Sequence, residues 1–525
     1  MSIIFPEYGK EAELVDGRNI LSYLQELGID INASCGGEGK CGQCLVEVEC
    51  AHGVLSDKTE AEKKFIHNDA HRLACQARIL KTDKHIYVRL KSILYLRRLY
   101  ILESGEYKVI PIEPFVHREG ERVFYESIDM GEYTGEIYGI ALDIGTTTLA
   151  MYLIDLETGA VLSVCSRENP QTKYGNNVIS RIEFARKGQE MLEREIRNAA
   201  NKMVTALTYP DKVYELVVVG NPVMRDLFFG YSVESLGKSP YEPLSEKAVA
   251  KTAKELGLKA NPEARVYGLP LIGSFVGADA LAVVLATEMY KSEKICAAID
   301  IGTNTEIVLG NRDRLIATSC AAGPAFEGAG ITCGIGGVSG AIKEVRIENG
   351  TVMYKTIDNA DPVGVCGSGL IDTLAELLDK KMIDGRGKFH GDEKEFRIAE
   401  GISISEKDID QLNLAKTAVS VGIKTLMDRY GIELEDVECV FLAGAFGNFI
   451  NAENAIRIGL LPAIEHGKVK KVGNAAVEGA RQALISKTKR EDAEAIAKQI
   501  EHVQLEKDEN FHEKFISELY FQQYL

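Results

Sequence analysis

The chain has 525 residues, 45% hydrophobic, with 61 Lys plus Arg against 78 Asp plus Glu and a formal net charge of −17. That length exceeds one core and implies two or more domains of about 100 to 200 residues each. The negative balance argues against nucleic acid or an anionic membrane, which need a positive footprint, and fits a protein partner better.

No uninterrupted apolar run approaches about 18 residues, and Met1-Ser-Ile-Ile-Phe-Pro-Glu-Tyr8 lacks a basic region followed by an apolar stretch, so a soluble, cytoplasmic chain is expected. Residues 1–92 alternate short extended runs with two helical ones. Ser2–Phe5, Glu11–Val15, Leu45–Val48, Arg72–Ile79 and Ile86–Leu90 read as strands, and Asn19–Leu27 and Thr59–Ile66 as helices, a β-grasp ferredoxin pattern. Within it Cys35, Cys41, Cys44 and Cys75 are spaced C-x5-C-x2-C-x30-C. Each iron of a 2Fe-2S cluster needs two thiolates, and a tight loop supplying three with the fourth from elsewhere is the ferredoxin solution. Gly36, Gly37, Gly39 and Gly42 let backbone fold closely round inorganic sulfide and aim N–H groups at it. The first spacing is one residue longer than the plant-type pattern and is similar to that of vertebrate-type ferredoxins. A zinc knuckle or structural cysteines are the alternative, but zinc sites usually pair two short-spaced ligands with two more, and Cys75 stands alone. The other seven of the eleven cysteines mostly sit in apolar strands or Gly-rich turns and read as reduced thiols.

Residues 93–137 carry no motif and read as a linker. A first lobe, 138–290, and a second, 291–525 with a C-terminal helix, then repeat one scheme. In the first, Ile140–Asp143, Leu149–Leu156 and Ala160–Cys165 form three strands, followed by helix Val178–Thr205, strand Glu215–Val219, helix Pro222–Phe229, strand Ala264–Leu269 and helix Gly277–Met289. In the second, Ala297–Asp300, Thr305–Leu309 and Leu315–Cys320 are followed by helices near Gly369–Lys381 and Leu412–Tyr430, strand Glu438–Ala443, helix Ala452–Ile458, strand Val469–Val472 and helix Ala475–Ile485. The stretch from Glu491 onward reads as a surface helix and tail.

Asp143-Ile-Gly145-Thr146-Thr147-Thr148 and Asp300-Ile-Gly302-Thr303-Asn304-Thr305 place a carboxylate at a strand end beside a glycine turn with hydroxyls, 157 residues apart. Turn N–H groups and hydroxyls can donate to the phosphates of ATP while the carboxylates hold hydrated Mg2+. One such turn is an ordinary hairpin feature; two, opening equivalent folds, point to a nucleotide. The pattern resembles the actin, sugar-kinase and heat-shock ATPase superfamily, whose two ribonuclease-H-like lobes clamp ATP. The resemblance implies adenosine binding at Leu442-Ala-Gly444-Ala445-Phe446-Gly447-Asn448, Phe446 flanking the base, and a water-aligning role for Asp279, which otherwise is a plain helix-opening carboxylate. Gly367-Ser368-Gly369 opens a helix and suits an anion or simply close packing. Gly323–Gly340, with seven glycines in eighteen residues, is a mobile loop near the cleft or only tight packing.

Taken together, the cluster loop, the two turns, Val219-Gly-Asn-Pro222, Phe275-Val-Gly-Ala-Asp279, Cys366-Gly-Ser-Gly369 and Leu442–Asn448 resemble the ATP-dependent reductive activators of corrinoid proteins. That resemblance implies one-electron reduction of cob(II)alamin to cob(I)alamin on a corrinoid protein of a methyltransferase system, an external low-potential donor and a homodimer. A small-molecule kinase with a redox-sensing ferredoxin domain, or a chaperone-like module with a structural cluster, are the rival readings.

Overall fold

The computed structural model describes residues 1–29, 31, 39, 44–51, 53–63, 71–82, 84–89, 110–444 and 447–521. The chain divides into two compact units, Met1–Arg98 and Leu99–Leu525.

In the first unit, β1 (Ser2–Phe5), β2 (Lys10–Glu13), β3 (Leu45–Glu49), β4 (His71–Leu73) and β5 (Ile86–Arg89) form one sheet in the order β2-β1-β5-β3-β4. Only β1 and β5 run parallel, as in a β-grasp. The alternation of Ile86 and Val88 with exposed neighbours turns one face inward, onto Ile20, Leu21, Tyr23 and Leu24 of α1 (Ile20–Glu26). Asn19 starts that helix by accepting the Ser22 N–H at 2.9 Å. Of the predicted helix at 59–66, the described part is α2 (Glu60–Lys63).

The second unit opens differently from the expected linker. The described part of 93–137 holds an antiparallel meander, β6 (Val116–Glu119), β7 (Arg122–Tyr125) and β8 (Ile128–Glu132). Its buried Val116, Val123 and Met130 join the unit's main core. The reason lies far along the chain: Arg490 stacks between Phe115 and Tyr267, 4.3 and 4.4 Å from their ring centres, and pairs with buried Glu215 at 2.8 Å.

The duplicated scheme follows. The first copy contains β9 (Tyr138–Ile144), β10 (Thr148–Asp155), β11 (Val161–Glu168), α3 (Val178–Leu207), β12 (Val213–Gly220), α4 (Pro222–Phe229), β13 (Val249–Thr252), α5 (Ala253–Leu256), β14 (Arg265–Gly268) and α6 (Ala278–Thr287). The second contains β15 (Ile295–Ile301), β16 (Thr305–Gly310), β17 (Leu315–Cys320), an inserted β18 (Ala341–Glu348), β19 (Thr351–Thr356) and β20 (Gly364–Val365), then α7 (Gly367–Asp379) and the hairpin β21 (Glu395–Ala399) and β22 (Ile402–Ser405). It continues with α8 (Glu406–Tyr430), β23 (Val437–Ala443), α9 (Ala452–Arg457), β24 (Val469–Gly473) and α10 (Ala475–Ile485), and the chain closes with α11 (Lys487–Ala497), β25 (Ile500–His502) and α12 (Phe511–Glu518).

The sheet orders are β11-β10-β9-β12-β14-β13 and β24-β23-β15-β16-β17-β25. Stripped of β13 and β25, one order is the other read backwards, so the repeat is one of topology. The central β12 is buried at every residue, as a strand covered on both faces must be.

The closing helix of each copy is shared between the lobes. α10 packs on β9 and β12 of the first copy and crosses α6, which also touches β15 and β16 of the second. At the crossing a Cβ on Gly479 would stand 2.0 Å from the Ala282 carbonyl oxygen. Gly479→Val is therefore expected to cost about 3 kcal/mol by overpacking, read as a lower denaturant midpoint.

The segment after Glu491 is not a surface tail. β25 extends the second sheet beside β17, and α12 docks on α8, where buried Glu518 accepts a hydrogen bond from Ser420 at 2.5 Å and pairs with Lys424. Polar partners on α8 claim Glu518. Among the described residues no helix is long and apolar enough to cross a membrane.

Candidate functional site

In the first unit the register of the β3–β4 ladder decides which cysteines meet. Leu45 pairs with Leu73, so Cys44, before β3, and Cys75, after β4, lie at the same end, where the Ala74 N–H donates to the Cys44 carbonyl at 2.7 Å. Both thiols are buried, at 1% and 2% exposure, and neither is in a disulfide. The Asn19 side chain holds the Cys75 carbonyl at 3.2 Å. Two buried cysteines at one braced end of the sheet suit an iron–sulfur cluster. Cys35 and Cys41 lie outside the described residues.

In the second unit the two Asp-x-Gly-Thr turns face each other. Asp143 ends β9 opposite Val219 of β12, and Asp300 ends β15 opposite Ala443 of β23. Across the cleft the Thr147 and Thr303 hydroxyls are hydrogen-bonded at 2.7 Å. The first turn is held by three residues to which the sequence assigned no role, Asn221 among them although its motif was recognised. Asn169 donates from Nδ2 to the Gly145 carbonyl at 2.9 Å and from its backbone N–H to the Thr147 carbonyl at 2.8 Å. Fully buried Arg181 donates to the Thr146 carbonyl at 2.5 Å, and Asn221 to the Thr146 hydroxyl at 3.0 Å. Carbonyl oxygens, which would repel phosphate, are thus engaged by donors of the lobe.

The second turn gathers acids. Thr303 donates to Glu327 at 2.9 Å, and Gly302 and Asn304 complete the bend. Glu327 comes from the Gly-rich 323–340 segment, where Gly328 and Gly334 permit tight backbone contact. Glu306 follows the turn on β16, where the first repeat has Leu149; that mismatch between copies was the available signal. Gly444 sits at φ +96°, and a Cβ there would lie 2.8 Å from Asp300 Oδ1, so glycine is required. Gly447 is buried; Ala445 and Phe446 lie outside the described residues.

The carboxylates repel one another. Burial and the neighbouring charges of Asp279 and Asp300 raise Asp143 well above the usual range, against a hydrogen bond from Asn474. Burial and the Asp279 charge push Asp300 up to about 7. Burial raises Asp279 to about 6, despite the Ala280 N–H that its Oδ1 accepts at 2.9 Å. Asp279 thus both opens α6 and enters the acid cluster. Burial with Asp279 and Asp300 also lifts Glu306, and burial lifts Glu327. Among the described residues no three such side chains are arranged to grip a metal ion directly.

An acid raised by folding stabilises the fold below its ordinary value of 3.8, and that contribution is lost as pH rises through about 7 for Asp300. The nucleotide-free protein is therefore expected to lose thermal stability between about pH 4 and about pH 7, and Asp300→Asn to flatten that slope in thermal melts.

Gly367, Ser368 and Gly369 are buried at the start of α7, and the last two are packed against β18. Ser368 donates to the Lys343 carbonyl at 2.8 Å, and a Cβ on Gly369 would meet the Ile342 carbonyl oxygen at 2.3 Å. Beside this helix and just past Gly447, a cavity of about 680 Å3 is lined by Lys343, Arg346, Asp372, Phe449, Asn454 and Lys471.

Three family models match the chain: a 2Fe-2S iron-sulfur cluster binding domain over residues 5–80, a RACo middle region over 138–292, and the C-terminal ASKHA domain of RACo over 294–524. The corrinoid activation enzyme RamQ of Eubacterium limosum is 32% identical over 99% of both chains. A reductase of Methanosarcina barkeri for the Co(II) methylated amine-specific corrinoid protein is 30% identical over 73% of this chain and 77% of its own. Among solved structures, a reductive activator for corrinoid, iron-sulfur protein superposes with a TM-score of 0.73 at 30% identity, covering 99% of this chain and 98% of its own.

Proposed function

The chain belongs to the family of corrinoid reductive activators, and on that premise we propose that it is an ATP-dependent activator delivering one electron to cob(II)alamin on a corrinoid protein of a methyltransferase system, regenerating cob(I)alamin. The observation that carries this reading is the meeting of the two repeated turns through Thr147 and Thr303, in a chain that also brings Cys44 and Cys75 to one corner of a ferredoxin unit.

Cys35, Cys41, Cys44 and Cys75 hold the 2Fe-2S cluster, which when bound supplies a one-electron carrier. Gly145–Thr147 and Gly302–Asn304 orient the phosphates of ATP, and Asp143 and Asp300 would hold a hydrated Mg2+, which would neutralise phosphate charge. Asp279 orients the attacking water. Gly444 and Gly447, with Ala445 and Phe446 as the family resemblance implies, would bind the adenosine, and the neighbouring cavity, with Phe449 on its wall, would accept the purine. An external low-potential donor, a homodimer and a cytoplasmic location complete the proposal.

The test incubates the anaerobic, reduced protein with a cob(II)alamin-loaded corrinoid protein and follows the cobalt spectrum with and without Mg-ATP. Conversion to cob(I)alamin is expected only with nucleotide. Equal conversion without it, or a phosphorylated metabolite formed in proportion to ATP consumed, would overturn the reading.

A further inference from the structure

Next to Cys75 stands a side chain that the proposed activity does not yet use. Gln76 Nε2 donates to Cys75 Sγ at 3.5 Å, within the range for a sulfur acceptor. Its orientation is imposed by its surroundings. Thr59 accepts the Glu62 N–H on its hydroxyl at 3.2 Å, and that hydroxyl in turn donates its proton to Gln76 Oε1 at 3.4 Å. With oxygen committed to Thr59, the amide presents nitrogen to the sulfur.

Thr59 is itself pinned. Its N–H donates to Glu62 Oε2 at 2.9 Å, and fully buried Glu62 is clamped by Arg72 at 2.8 and 3.1 Å and by the Leu73 N–H at 3.1 Å. On its other side the amide lies against Gly39 of the cysteine loop, where any Cβ would come within 2.9 Å of Gln76 Cδ and Nε2. A chain of contacts therefore runs from Arg72 through Glu62 and Thr59 to the sulfur of Cys75.

We propose that the Gln76 amide sets the reduction potential of the iron–sulfur centre, as a positioned donor to the Cys75 sulfur; this rests on the cluster reading given above. Reduction adds negative charge to the centre and its ligand sulfurs. A donor fixed in a buried corner stabilises the reduced form more than the oxidised one, so its loss lowers the potential. Thr59 acts through it as a positioning residue.

The experiment uses the full-length protein, reconstituted anaerobically, with iron content and visible circular dichroism checked before a spectroelectrochemical titration. Gln76→Met is expected to lower the reduced-to-oxidised ratio about tenfold at the wild-type midpoint, equivalent to about 59 mV for one electron. Thr59→Val should shift it in the same direction, and Thr59→Ser should restore it. Unchanged or raised midpoints in loaded Gln76→Met and Thr59→Val would overturn the inference. If Gln76→Met takes up no iron, the Thr59 pair decides by the same criterion. A wild-type protein that assembles no cluster would sink the cluster reading itself, and this inference with it.

Discussion

Asp300→Ala is expected to lower nucleotide hydrolysis by roughly 100- to 1,000-fold and abolish ATP-dependent cobalt reduction, while the visible absorption of the reconstituted cluster stays at the wild-type level. Asp300 stands near the end of β15 beside Gly444, among Asp143, Asp279 and Glu306; burial raises all four, and the Asp279 charge raises the other three further. Removing one of several mutually repelling acids should not unfold the nucleotide-free protein, so the loss reports on chemistry. Phosphate release and a thermal melt on the same sample check both halves. Retained hydrolysis would remove Asp300 from the proposed role.

Cys75→Ser should produce the opposite loss. Iron content and visible absorption disappear and cobalt reduction stops, while nucleotide binding and hydrolysis persist. The chain divides into separate compact units at Arg98, and Cys75 belongs to the core of the first. Iron analysis beside a nucleotide-binding titration decides it; a variant that still reduced cobalt fully would place the electron elsewhere.

These two losses frame the energetics of coupling. Moving one electron against 100 mV costs about 2.3 kcal/mol, comparable with the roughly 1 to 3 kcal/mol by which two sites on one protein commonly influence each other. The element suited to that task in the nucleotide-binding unit is the crossing of α6 and α10. α6 begins with Asp279 and α10 follows Asn474, which touches Asp143, and the two helices meet at Gly479 with no room for a side chain. A change in cleft closure would load that contact, because packed helices shift as units.

Much of the fold was legible because its signals are local. The three strands and turn of each repeat occupy some 25 residues, and their hydrophobic alternation and glycine turns sit within that window. The cysteine loop is more compact still. Residues 110–137 were misread as a linker because Val116, Val123 and Met130 are single buried residues in short polar strands, and Arg490, which anchors them, comes more than three hundred residues later. The acidic C-terminal segment was misread for the same reason: Glu518 looks solvated until Ser420 and Lys424 are placed beside it.

By itself the amino-acid sequence determined the chemistry on offer, namely the cysteine set and two acid-bearing turns, since each is written in a handful of adjacent residues whose types and spacing dictate what they can bind. Only the tertiary structure decided how those groups are poised. The holding of Thr146 by Arg181 and Asn221, the entry of Glu327 and Asn474 into the cleft, the exchange of α10 onto the first sheet and the aim of Gln76 at sulfur are contacts between distant segments. Such contacts are set by packing and by the need of buried polar groups for partners, and neither leaves a periodic mark along the chain.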